Sequence, residues 1–426
     1  MLTKRFIGMM AVLTTLSAAN AQNLTVLNNF SGSNGAQSLA GLTMDAAGNL
    51  YGTVSEGGLG AGLVFELTSN GGVWSETVLY EFGGLAGDGA YPAGRVILDA
   101  AGNLYGTTQH GGEYNGGTIF KLTPNVSGEW TETILHNFGE GTDGLFPTSG
   151  LTADASGNLF GTTYAGGTDA VCNYVQGDYS SSCGTVYELT PSGEQWSYQV
   201  IYNFKTGSDG FFPFSGVTID ASGNLYGTCV LGGSALRGVV YMLSPQSKGV
   251  YAETVLHAFG VGTDAIFPYG DVILDSEGNL YGTTSQSNVK GELGTVYKLS
   301  AKVWTETILY YFGVNVDGQF PQGGLVMDAA GNLYGTTHNG AQLGYGIIYE
   351  LSPGQSSYNE KILYDFTGGL DGGISSAQLV RDASGNLYGT TWSGGSAQDC
   401  TTGVIPGCGV VFEFSPADSD RVAPSR

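Results

Sequence analysis

The sequence is short of cations. Fourteen Lys and Arg stand against 37 Asp and Glu in 426 residues, a formal net charge of −23. A chain this poor in positive charge has no basic face with which to displace counterions from nucleic acid or anionic lipid, so neither is expected as a partner. Histidine is scarce too, at four residues. Neither a Cys-x-x-Cys pair nor a cysteine–histidine cluster occurs, and there is no HExxH helix, nucleophile elbow, phosphate loop or calcium-loop pattern. No catalytic residue, metal ligand or cofactor is therefore assigned, and calcium in the acidic Asp-Gly loops is kept only as a side expectation. Helical periodicity is missing throughout, and after the N-terminus no apolar run is long enough to span a bilayer. Aromatic residues are not missing: 25 Tyr, 19 Phe and five Trp supply a core that disordered chains lack.

Glycine is abundant, with 72 residues. It does not fall at every third position as in collagen, so it points to many turns between short strands. Residues 1–21 read as a signal peptide: Lys4 and Arg5, then the apolar stretch Phe6 to Leu16, then the small-x-small site Ala19-Asn20-Ala21. The first cysteine is Cys172, so no lipid-modified cysteine is expected at the cleavage site. A secreted or periplasmic protein is the expectation, monomeric, with residues 417–426 as a polar tail.

The string Gly-Asn-Leu-(Tyr/Phe)-Gly-Thr begins at Gly48, Gly102, Gly157, Gly223, Gly278, Gly331 and Gly385. Three residues before each stands Asp45, Asp99, Asp154, Asp220, Asp275, Asp328 or Asp382. In the second repeat, Val96-Ile97-Leu98 reads as strand A, Asn103 to Thr107 as B, Thr118 to Leu122 as C and Trp130 to Phe138 as D, with turn residues between. Four strands in about 55 residues make a propeller blade. Six copies of D occur internally, and the seventh is Leu24 to Phe30, while the chain ends on a C strand, Val410 to Phe414. The fold expected is therefore an all-β, seven-bladed propeller of four antiparallel strands per blade, closed by the N-terminal strand completing the last blade, which otherwise exposes a raw edge. The domain runs over 22–416, with blades near 41–82, 94–138, 150–204, 216–259, 271–312, 324–366 and 378–414 plus 24–30.

Most repeated residues have a structural role. The seven aspartates cap turns, with glycine supplying positive φ. Trp74, Trp130, Trp196 and Trp304 shield blade edges, and the Asp-Gly-x-(Phe/Tyr)-Pro element is a turn with an aromatic wedge. Cys172 with Cys183, and Cys400 with Cys408, bracket loops and are expected to form disulfides in an exported chain, whereas Cys229 is expected as a buried free thiol. His136 and His257 replace a Tyr within strand D. Departures from the internal consensus carry the functional expectation. Arg95, Asp271 and Gln378 interrupt a glycine position just before strand A, and His110, Tyr164, His338 and Trp392 stand out in the B-to-C loops. The D-to-A and B-to-C loops of a propeller share one face, so these seven residues are the candidate ligand contacts.

The stretch Asp99 to Leu135, with Asp-Ala-Ala-Gly-Asn-Leu-Tyr-Gly-Thr-Thr, Gly-Thr-Ile-Phe-Lys-Leu-Thr-Pro and Trp-Thr-Glu-Thr-Ile-Leu, resembles the GloVer tandem repeat of exported bacterial "choice-of-anchor" proteins. The likeness covers residues 24 to 416 and implies export; such proteins often carry an anchoring segment at the end, where this chain has a polar tail. A weaker likeness through Asp-x-x-Gly-Asn-Leu-Tyr runs to NHL-type propellers and implies binding. The function expected is a non-catalytic binding propeller for a polysaccharide or a surface protein, with a secreted carbohydrate-active hydrolase or lyase using loop-face carboxylates as the alternative.

Overall fold

The computed structural model describes residues 24–168, 183–193, 195–246, 249–313, 317–355, 357–397, 400 and 405–416. The expected signal peptide, Cys172 and the polar tail lie outside the described residues. Among the described residues all regular structure is β. Seven four-stranded antiparallel sheets form a ring, each ordered A-B-C-D from the axis outward, as in Ile97–Leu98, Leu104–Thr108, Thr118–Pro124 and Trp130–Asn137. This is a seven-bladed β-propeller. Blades are numbered here from the sheet that begins at Thr43, so Arg95 precedes blade 2 and Gln378 precedes blade 7.

Closure follows the expected permutation. Leu24–Asn29 pairs antiparallel with Val410–Phe414, from Leu24 opposite Phe414 to Asn29 opposite Val410. Phe30 is fully buried behind it and donates its N–H to Gly409 O. Every C–D pair carries a bulge at the same register, between Ile119 and Phe120 in blade 2 and between Val26 and Asn28 in the closing strand. A bulge at that place adds twist, which lets each sheet lean on the next.

The core lies between blades. One cluster joins Tyr51, Val64 and Phe82 of blade 1 to Val96, Leu104 and Phe120 of blade 2, and six more clusters repeat the arrangement. The glycine of Leu-Tyr-Gly-Thr makes room for it: a Cβ on Gly161 would stand 2.3 Å from the Tyr187 hydroxyl. Trp74, Trp196 and Trp304 each meet a strand-B tyrosine of the preceding blade, Tyr388, Tyr105 and Tyr226, at 5.8–6.3 Å.

The turn aspartates behave as caps. Asp99 Oδ1 accepts from the N–H groups of Ala101 and Asn103, and Oδ2 from Asn103 Nδ2 and the Tyr105 hydroxyl. Burial works against the Asp99 anion, but the hydrogen bonds from Asn103 and Tyr105 outweigh it and hold the carboxyl below its ordinary range. Cys400 and Cys408 are bonded, Cys183 is disulfide-bonded, and Cys229 is a buried free thiol.

The Asp-Gly-x-(Phe/Tyr)-Pro element is more than a turn. Gly89–Ala90 pairs with His110–Gly111, so the D-to-A and B-to-C loops form a second, two-stranded ribbon on the loop face. Blades 3 to 6 have the same ribbon, and blades 1 and 7 replace it with single bridges, Ala36 to Glu56 and Gly373 to Ser393. The next residue in each blade is left-handed without being glycine: Gln37, Tyr91, Phe146, Phe212, Phe267, Phe320 and Ile374 all have φ between 56° and 61°. Such a conformation costs a bulky side chain about 1–2 kcal/mol. Hydrogen bonds on both sides hold it: Tyr91 N–H donates to Ala61 O of the preceding blade, and Tyr91 O accepts from Gln109 N–H of its own.

Candidate functional site

The D-to-A and B-to-C loops converge on one face around the axis, where a concave mouth of about 440 Å³ opens. Two rings with one residue from every blade line it, and three residues of a third ring reach it. The innermost holds Arg95, Asp271 and Gln378 among four glycines, as expected. The residue after the proline forms the middle ring: Ala93, Thr148, Phe214, Tyr269 and Gln322, with Leu39 and Ser376 in blades that lack the proline. The outer ring follows strand B, and its members Gln109, His338 and Trp392 reach the same mouth.

The middle ring was missed by the sequence reading. Its signal was available, because the position, preceded by proline in five of the seven blades and followed by a small residue in all, holds seven different residue types. One outer-ring residue also shifts. In blade 2 the residue equivalent to His338 and Trp392 is Gln109, while His110 sits one step further along an extended strand and faces the other way. His110 packs instead against Phe146 at 5.0 Å and Tyr91 at 5.7 Å, and burial holds its imidazole below the usual range.

The mouth has two unlike sides. On blades 4 and 5 it is aromatic, through Phe214 and Tyr269, and Tyr164 lines the cleft beside it rather than the mouth itself. Tyr164 stacks on Phe212 with ring centroids 4.7 Å apart, and Phe214 stands edge-on to Tyr269 at 5.4 Å. Phe214 keeps 42% of its surface exposed although it is a large apolar residue in a concave site. A side cleft of about 390 Å³ continues from here, lined by Tyr164, Phe212, Phe214, Tyr269 and Gln286. Burial raises both the Tyr164 and Tyr269 hydroxyls, so they stay neutral and can donate hydrogen bonds.

The opposite side, on blades 6, 7, 1 and 2, is polar. Gln378 Nε2 donates to Leu325 O at 2.8 Å, and its Oε1 accepts from Arg95 Nη1 at 3.4 Å. Gly41 lies between these two residues around the ring, and a Cβ there would stand 2.9 Å from Gln378 O. Trp392 Nε1 donates to Gln37 Oε1 at 3.1 Å, and His338 Nδ1 lies 2.5 Å from Asn339 Oδ1. Asp271 Oδ1 accepts from Gly216 N–H at 2.8 Å and is the one carboxylate among the lining residues.

A second set of titratable groups lies away from the mouth, in the seams between blades. The aspartate of each Asp-Gly turn faces a strand-D tyrosine or histidine, as in Tyr202 hydroxyl to Asp209 at 2.9 Å and His136 Nε2 to Asp143 at 2.7 Å. The next blade adds a glutamate. Burial, with Asp88, Asp209 and Asp317 nearby, pushes Glu132, Glu253 and Glu360 up to about 7, and burial with Asp264 pushes Glu306 to about 9. His257, Asp264 and Glu306 place their ligand atoms within 4.8 Å of one another, and this is the one such group among the described residues. Tyrosine takes the histidine's place in the seams of Asp88, Asp209 and Asp317, so the arrangement is a recurring latch between blades.

Among the described residues no helix is long and apolar enough to cross a membrane. No curated protein matches the chain. Among solved structures, a puromycin-hydrolyzing peptidase of Mycobacterium tuberculosis is similar over 91% of this chain and 54% of its own, at 14% identity and a TM-score of 0.54. The extracellular domain of a hybrid two-component system protein from B. thetaiotaomicron is similar over 93% of this chain and 41% of its own, at 14% identity and a TM-score of 0.50. A protein described as a 6-phosphogluconolactonase from Bacteroides uniformis aligns over 76% of this chain and 83% of its own, at 14% identity and a TM-score of 0.47. The chain thus spans about half or less of the first two, and likeness at such identity shows the fold alone. The family is settled by the repeat itself: the Gloeobacter/Verrucomicrobia repeat model matches residues 11–176 and 170–405, and the chain belongs to that family.

Proposed function

We propose that the protein is an exported, non-catalytic binding propeller that takes carbohydrate in its axial mouth. The observation that carries this reading is the division of the mouth into an aromatic side, with Phe214 exposed between Tyr164 and Tyr269, and a side of amides, hydroxyls and one guanidinium. Sugar rings present apolar faces that stack on aromatics and hydroxyl edges that pair with amides. The disulfide between Cys400 and Cys408 fits an oxidising compartment.

The carbohydrate-active hydrolase is the second reading. Glycoside hydrolysis by paired carboxyls needs two of them roughly 5–10 Å apart. The mouth contributes Asp271 alone, and the buried acid pairs are engaged in the seams, so binding without turnover is favoured. A glycan-binding screen run beside a reducing-sugar release assay tests the choice. Binding with no release is the expected result; release that Asp271→Asn abolishes replaces this reading with the hydrolase. If Trp392→Ala and Phe214→Ala leave every detected interaction unchanged, the mouth is not the binding site.

A further inference from the structure

We infer that the carbohydrate taken in the mouth is acidic, with a sugar carboxylate held by Arg95; this rests on the binding reading above and names its ligand class. The chain has 14 Lys and Arg, and four of them sit over aromatic rings. Arg237 lies over the Phe267 ring at 5.1 Å and Arg381 over Tyr334 at 5.6 Å, while Lys121 and Lys298 sit over Tyr105 and Tyr281. Arg95 is over no ring. Among the described residues no carboxylate lies within ion-pair distance of it, the ion pairs there being those of His136 and His257. Its one hydrogen bond, to Gln378 Oε1, is long at 3.4 Å.

A guanidinium has five N–H donors in a rigid fork that matches a planar anion with two parallel bonds. Here most of that fork is unspent, in a concave site, on a half-buried side chain. Gln378 does not satisfy it but positions it, because Gln378 is itself tied to Leu325 O. The mouth's own carboxylate is engaged elsewhere, since Asp271 faces the Gly216 N–H of blade 4 and not the Arg95–Gln378 arc. The acidity of the rest of the protein does not prevent anion capture. At physiological salt, charges beyond about 8 Å are screened, so an anion in the mouth meets Arg95 before it meets the net charge. Blades 4 and 5 then offer Phe214 and Tyr269 to the face of a neighbouring sugar.

Sulfate would share this chemistry with carboxylate, and the test separates the two. Calorimetric titrations use trimers of galacturonate, glucuronate and mannuronate, each beside its carboxyl-reduced form, with a sulfated galactose trimer as a further arm. At least one uronate trimer should bind about ten-fold or more tightly than its reduced form, the scale expected for a charge-assisted hydrogen bond. Arg95→Gln should remove that preference by weakening the uronate about ten-fold more than its reduced form; Arg95→Lys should keep part of it. Phe214→Ala should weaken acidic and reduced forms alike. Equal binding of acidic and reduced forms, or an Arg95→Gln effect common to both, overturns the acidic ligand and leaves the carbohydrate reading standing. A sulfated trimer bound more tightly than every uronate overturns the carboxylate. Binding of no probe at all removes both readings together.

Discussion

The two faces of the ring use repetition in opposite ways. On the turn face, Asp45, Asp99, Asp154, Asp220, Asp275, Asp328 and Asp382 all accept from two backbone N–H groups and from the asparagine four residues on. Side chain and backbone repeat together there. On the loop face the left-handed residue before each proline position also repeats in every blade, yet the middle ring of side chains presented there differs in every blade. A position whose backbone is held by hydrogen bonds on both sides can change its side chain at little cost. That freedom is what a binding surface needs, and it makes the turn face scaffold and the mouth variable.

The comparison can be broken most severely at the closure. Deleting 24–30 strips blade 7 of its outer strand and of the buried Phe30; the expected result is loss of the discrete peak the intact chain gives in size-exclusion chromatography and of a cooperative melt. Next comes the contrast between faces. Asp220→Ala leaves two backbone donors and the Asn224 amide without their acceptor, which should cost about 2–3 kcal/mol in urea unfolding, whereas Arg95→Ala should stay within about 0.5 kcal/mol of the parent. Equal losses would mean that the mouth is structural too.

The seams supply a pH dependence. Glu132, Glu253 and Glu360 sit near 7 in the folded ring, against 4.5 as the ordinary value, so between these limits the folded state binds more protons than the unfolded one. The stabilisation from these groups is complete below about pH 4.5 and is lost as pH rises through 7, with Glu306 extending the decline towards 9. Melting temperature should therefore fall from pH 5 to 8, and Glu132→Gln, Glu253→Gln and Glu360→Gln together should flatten that slope; a slope unchanged in the triple variant sinks the assignment. The smallest effect concerns register. Gln109→Ala should weaken ligand binding a few-fold, roughly the worth of one neutral hydrogen bond, while His110→Ala, outside the mouth, should leave affinity unchanged.

Much of the molecule was legible because period and turn chemistry are local. The Gly-Asn-Leu-Tyr-Gly string marks every blade, and the misplaced seventh D strand announces closure. Arg95, Asp271 and Gln378 were singled out because each interrupts a position that is glycine in the other four blades, and Tyr164, His338 and Trp392 because they are large ring side chains in glycine-rich loops. Phe214, Tyr269 and Gln322 were not, since their position has no consensus to interrupt and variation there looks like a loop that does not matter. His110 was placed beside them because a loop read as a string has no sides. Only pairing of Ala90 with His110 assigns the sides, leaving Gln109 to the axis.

The number of blades, the strand order and the permuted closure were written in the chain itself, because hydrophobic alternation and glycine turns act over a few residues and recur. Which side chains meet was decided only by the closed ring. Residues of one lining ring stand about fifty-five positions apart in the chain, and Arg95 reaches Gln378 across 283 positions. No local rule relates them, and what brings them together is seven wedges of the same angle closing about one axis.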